Sequence, residues 1–108
     1  MALTGKFIVS RDDDVFYFAL YANNGQLLYE SRPYASEKGC VNAIDTFKKN
    51  VVLAPLEVRQ DKTKNYRWIY VNGATYFMGI AYTTRKSAEN NAASVKKFAE
   101  TASVEIVR

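Results

Sequence analysis

Apolar and polar residues alternate along much of the chain, and where the alternation stops a longer period replaces it. From Lys6 to Arg11, Phe7 and Val9 share one side of an extended segment. From Phe16 to Ala22 the alternation is stricter: Phe16, Phe18, Leu20 and Ala22 fall on one face, Tyr17, Ala19 and Tyr21 on the other. Asn24-Gly25 follows, the strongest short-range hairpin signal, because both residues tolerate positive φ. Leu27 to Ser31 returns as a third strand, and Pro33 blocks further pairing. The period then changes. Cys40, Ile44, Phe47 and Val51 recur at i, i+4, i+7 and i+11, one stripe of a helix. Ser36 is a good N-cap for it, and Lys48 and Lys49 suit its electronegative C-terminal end. Pro55 enforces a break, and Leu56 to Gln60 reads as a strand.

The second half repeats this plan. Tyr66, Trp68 and Tyr70 alternate with Arg67, Ile69 and Val71; Asn72-Gly73 turns; Thr75 to Tyr82 returns; Thr84 caps a helix with Ala88, Ala92, Val95 and Ala99 on its stripe; Val104 to Val107 is a last strand. A shift of 48 positions lays Asn24-Gly25 on Asn72-Gly73, Tyr34 on Tyr82, Lys38 on Lys86, Asn42 on Asn90, Lys48-Lys49 on Lys96-Lys97, Ala54 on Ala102 and Glu57 on Glu105, with no gap. The shared register of turn, helix and strand marks a duplicated unit. The expected fold is α+β: two tandem β-β-β-α(-β) repeats, residues 1–54 and 55–108, forming one mainly antiparallel sheet within a single domain, with both helices on one face. The strand at Leu56 is shared between them. The second face of that sheet carries Tyr17, Ala19, Tyr21, Ile69, Val71 and Phe77, so it is either open and aromatic or covered by a partner.

Composition narrows the function. A chain of 108 residues holds a core without staples, whereas half of it would be marginal alone. The formal charge of +4 sits wholly in the second repeat: residues 1–54 carry six basic and six acidic side chains, residues 55–108 nine and five. That excess is small enough to serve solubility, and it also fits anionic ligands. A single cysteine, no charged-then-apolar leader in Met1-Ala2-Leu3-Thr4-Gly5 and no apolar run of membrane-spanning length lead us to expect a cytoplasmic protein.

The absence of histidine removes the commonest general base and neutral metal ligand. Cys40 lies on the apolar stripe and reads as a buried small hydrophobe. Asp12-Asp13-Asp14 brings three carboxylates together, but the spaced oxygens of a calcium loop are missing, and turn chemistry explains it better. No catalytic, cofactor or metal site is expected. Two candidate binding surfaces remain. One is a Lys-Asn-Lys row on each helix, Lys38, Asn42 and Lys49 in the first and Lys86, Asn90 and Lys97 in the second, which could hold an anion or simply be a solvated face. The other sets Lys62, Lys64 and Arg67 beside Tyr66 and Trp68, residue types on which single-stranded nucleic acid stacks; strands prefer aromatics for structural reasons too.

The run from Phe16 to Gly25, with Ser31, Tyr34, Gly39-Cys40, Asn42, Ile44 and Lys48-Lys49-Asn50, resembles the YegP-like family of small bacterial proteins built from one or two such units. The resemblance implies β-β-β-α-β units that exchange their last strands, completed within one chain when two copies are present. It supplies no biochemical function. The second copy departs from the pattern, with Gly79 for the serine, Ala92 for the isoleucine and Phe98 for the asparagine. The resulting expectation is a non-enzymatic interaction module with a protein partner or a weak homodimer. The alternative is a weak binder of single-stranded nucleic acid or anionic ligands through the basic second repeat. No membrane partner is expected.

Overall fold

A computed structural model describes residues 4–107; Met1 to Leu3, part of the stretch read for a leader, and Arg108 lie outside them. Strands β1 (Lys6–Asp12), β2 (Val15–Tyr21) and β3 (Leu27–Glu30) form an antiparallel meander. The aspartate run is its first turn, with Asp13 at φ 54° and the Arg11 Nε donating to the Asp13 carbonyl at 2.7 Å. Helix α1 (Glu37–Val51) starts at Ser36, whose hydroxyl accepts from the Gly39 N–H, and buries Cys40, Ile44, Phe47 and Val51. Strands β4 (Glu57–Gln60), β5 (Tyr66–Asn72) and β6 (Thr75–Met78) form the second meander. Helix α2 (Arg85–Thr101) is capped by Thr84, and β7 (Ser103–Ile106) is the last strand among the described residues.

The strands form two sheets rather than the single sheet expected: β3-β2-β1-β7 and β4-β5-β6. The last strand crosses back to lie parallel to β1, so the first sheet contains an element of the second half. Strands β3 and β6 end their meanders facing each other without a ladder. Both are four residues long, and the Arg32 guanidinium, not a backbone N–H, donates to the Tyr76 carbonyl at 3.3 Å. The expected return strand to Tyr82 stops at Met78 because Gly79 turns away after donating its N–H to the Trp68 carbonyl at 2.9 Å. A single bridge, Tyr66 with Tyr82, remains beyond it.

The inner faces of both sheets and the stripes of both helices share one core. The Phe47 ring of α1 contacts Phe7 and Phe18 of the first sheet and Phe77 of the second, at centroid distances of 6.0, 5.8 and 5.0 Å. Alternation along the second half puts Phe77 on the outer face, and the structure puts it in the core. It lies opposite Tyr70, and residues facing each other across an antiparallel pair share a side, so Phe77 is buried while Tyr76 and Met78 point outward.

The gapless alignment of the two halves also needs correction before the hairpin turns. In the first hairpin residues 21–28 separate the pair Leu20 and Tyr29; in the second, residues 71–76 separate Tyr70 and Phe77. The first loop is two residues longer and carries a bulge at Leu20/Tyr21. Trp68 therefore corresponds to Phe18, as the matching bridges of Phe16 with Tyr34 and Tyr66 with Tyr82 show. This explains Gly79. Ser31 accepts from the Phe18 N–H at 2.9 Å, but a Cβ on Gly79 would lie 2.3 Å from the larger Trp68 indole, which leaves no room for serine.

Candidate interaction surface

The sequence-derived candidates fall in three places. Lys38, Asn42, Lys86, Asn90 and Lys97 are exposed on the helices, as is Lys49, whose ammonium pairs with Asp45 at 2.9 Å. Lys62 and Lys64 lie in the turn between β4 and β5, Lys64 at φ 69°. Strand alternation separates the remaining three: Tyr66 and Trp68 face the helices and Arg67 faces out.

Trp68 presents no ring face. It is fully buried, and its Nε1–H donates to the Asn91 Oδ1 at 2.8 Å. Asn91 in turn donates to the Leu28 carbonyl at 3.0 Å. A helix-interior asparagine buried among alanines thus ties β5 to β3. It sits one position from Asn90, but at i+3 from Ala88 and i−4 from Val95 it lies beside the apolar stripe, whereas Asn90 lies opposite; that offset is the sequence signal that marks it. Tyr66 is half-buried with the Arg85 guanidinium 5.3 Å from its ring centroid. These two rings therefore do not form an open stacking platform.

Arg67 belongs to a built polar turn. The Asp61 carboxylate accepts from the Thr63 hydroxyl at 2.6 Å, the Thr63 N–H at 2.8 Å, the Asn65 N–H at 3.0 Å and the Arg67 guanidinium at 3.3 Å. Hydrogen bonding, led by Thr63, holds its pKa below the usual 3.8. The Arg67 Nε is buried with no hydrogen-bond partner among the described residues. Burial also pushes the Cys40 thiol up, which suits an inert core residue.

The outer face of the second sheet brings together residues that the sequence pattern did not assemble. Ile69 on β5 and Met78 on β6 lie opposite each other, with Tyr76 opposite Val71 one step along. Tyr76 and Met78 are 41% and 40% exposed, and Val71 56%. Arg59, Lys62, Thr63 and Arg67 join Ile69, Tyr76 and Met78 around a shallow depression of about 450 Å³. The outer face of the first sheet differs: Tyr17, Ala19 and Tyr21 are half-buried and lie among Ser10, Asp12 and Glu30. Among the described residues no three metal-binding side chains converge, and no helix is long and apolar enough to cross a membrane.

Comparison with known proteins places this architecture. Residues 12–57 match the model of a domain of unknown function, DUF1508. The UPF0339 protein in the ptx operon 5'region of Stutzerimonas stutzeri is 29% identical over 94% of this chain and 96% of its own length. UPF0339 proteins of Methanosarcina acetivorans and Treponema denticola are 44% and 35% identical over segments covering 42% and 44% of this chain but 79% and 84% of theirs. The solution structure of yegP from E. coli, a protein of unknown function, superposes with a TM-score of 0.85 at 23% identity, covering 98% of this chain and 95% of that one. That of the UPF0339 protein SO3888 from Shewanella oneidensis gives 0.82 at 20%, covering 96% and 92%. With its fold matched and its sequence related across most of those shorter chains, the protein belongs to the UPF0339 family.

Proposed function

We propose that this protein is a non-catalytic interaction module that engages a protein partner through the outer face of its second sheet. The observation that carries this reading is the uncovered patch of Ile69, Val71, Tyr76 and Met78 with arginines at its edge. Exposed apolar side chains grouped on a sheet face and rimmed by polar residues are characteristic of docking surfaces. Arginine and tyrosine are the side chains that most often anchor them.

The nucleic-acid alternative rests on fewer groups once Trp68 is in the core. It would have to use Tyr76 with Arg59, Lys62 and Arg67. The two readings separate by salt and by chemistry. A phosphate-binding surface loses affinity steeply as salt rises, whereas an apolar docking surface does not. The test is cross-linking affinity purification with the wild type, a Tyr76→Ala/Met78→Asp double variant and a Lys86→Glu/Lys97→Glu control. The outer-face variant is expected to lose a partner that the control retains. Equal recovery by both would rule out this face. Low-salt titration with short labelled single strands completes the test: tight binding there, weakened by Arg59→Ala, would support the nucleic-acid reading instead.

A further inference from the structure

The two sheets are unequal, and the inequality leaves one strand position open. Val9 of β1 and Val58 of β4 hold corresponding places, opposite Phe18 and Trp68 respectively. At Val9 the next layer is β7, and the Val107 N–H donates to the Val9 carbonyl at 2.9 Å. At Val58 no strand follows among the described residues. The Val58 carbonyl accepts instead from the Arg85 Nη1 at 3.2 Å, while the same guanidinium rests on the Tyr66 ring. The cause is topological. The strand after α2 returns to lie beside β1. The strand after α1 is β4 itself, already committed as the opening strand of the second meander, so it cannot also lie at its own edge.

We infer that the free edge of β4 receives an extended segment of another protein chain as a parallel strand, and that Arg85 holds this place until the segment arrives. Addition of a strand to a sheet edge is a common mode of peptide recognition, with main-chain bonds giving affinity and alternate side chains giving selectivity. The occupant of the corresponding place shows what fits. In β7, Ile106 packs against the core while Glu105 faces out, 3.6 Å from Lys6. A segment alternating apolar and polar residues suits the β4 edge in the same way. A second copy of this chain is not the occupant. Two copies meeting edge to edge at β4 about a twofold axis would pair antiparallel there, unlike the parallel place that β7 fills beside β1, and a β7-to-β4 contact between copies is heterologous and does not by itself close a pair. This edge is separate from the outer sheet face, so the inference stands or falls independently of that reading.

The test uses full-length ¹⁵N-labelled protein and, as probe, residues 102–107 as a blocked synthetic peptide, since this segment already fits the corresponding edge. Val58 and Gln60 are alternate residues whose ladder groups point away from β5. Their amides are expected to shift and to exchange more slowly as peptide is added. Arg85→Ala should raise peptide affinity about fivefold, the equivalent of one ordinary competing hydrogen bond. A peptide N-methylated at alternate amides should not bind. Absence of any change along β4 at millimolar peptide, for both wild type and Arg85→Ala, would overturn the inference. So would changes confined to the β1 edge, equal binding by the N-methylated peptide, or peptide-independent self-association of the wild type through β4.

Discussion

Asn91 is the residue on which the junction of the two sheets depends most. It accepts from Trp68 and donates to Leu28, so its side chain satisfies two buried polar groups on different sheets. Asn91→Ala leaves both without partners, and each buried orphan costs about 1–3 kcal/mol. The variant is expected to lose about 2–4 kcal/mol in chemical denaturation, whereas Asn90→Ala, on the exposed neighbour, should move the midpoint little. At Asp61 the prediction concerns pH. Its folded pKa lies below the unfolded value, so its contribution to the turn is fully present above the ordinary carboxylate range and is lost as pH falls through the folded pKa. The Thr63 and Asn65 amides should report that loss on acidification. Asp61→Asn should abolish their titration; an unchanged titration would assign it to another group.

Among the elements, α1 carries the most packing. Phe47 and Ile44 sit fully in the core, and Phe47 touches rings from both sheets. Ile44→Ala and Phe47→Ala should each destabilise by about 2–5 kcal/mol through lost burial and the cavity left behind. Asp13→Ala, in an exposed turn with φ 54°, should cost at most about 1 kcal/mol from its backbone conformation. Equal shifts for Phe47→Ala and Asp13→Ala would contradict the assigned core. The end of α1 is secured from outside the helix. The Lys96 ammonium of α2 donates to the carbonyls of Val51 and Val52, which the helix C-terminus leaves unsatisfied, and to that of Ala54 just beyond. Lys96 and Lys97 are adjacent on α2, yet only Lys97 is exposed. The partial burial that this bonding requires also lowers the Lys96 pKa.

At the scale of the molecule, the two halves depend on each other through many contacts, four of which are of different kinds. Strand β7 covers β1, Asn91 bonds Leu28, Lys96 caps α1, and Phe77 packs on Phe47. Elements joined this closely should unfold in one cooperative transition. A fragment ending at Ala54 loses all four contacts. It is expected to be unfolded, or to dimerise and supply the missing elements from a second copy. Light scattering with circular dichroism decides this, and a folded monomeric fragment would show that the first half is self-sufficient.

The sequence by itself determined the elements, because each has a local cause. Alternation placed the strands, the i, i+4, i+7, i+11 stripe placed α1, Ser36 and Thr84 placed the helix starts, and Asn-Gly placed both hairpins. Cys40, Ile44, Phe47 and Val51 were legible as core for the same reason. What depended on distant partners was decided only in the tertiary structure. The outward phase of Tyr76 and Met78 follows from hairpin register, since consecutive aromatics at Tyr76 and Phe77 leave alternation ambiguous. The burial of Trp68 follows from the fit of Gly79 and Asn91 around its indole. The division into two sheets, and the edge of β4 left to Arg85, follow from where β7 goes. A strand's own residues specify which side is apolar, but its neighbour in a sheet is chosen by chain connectivity and by the core that both must cover.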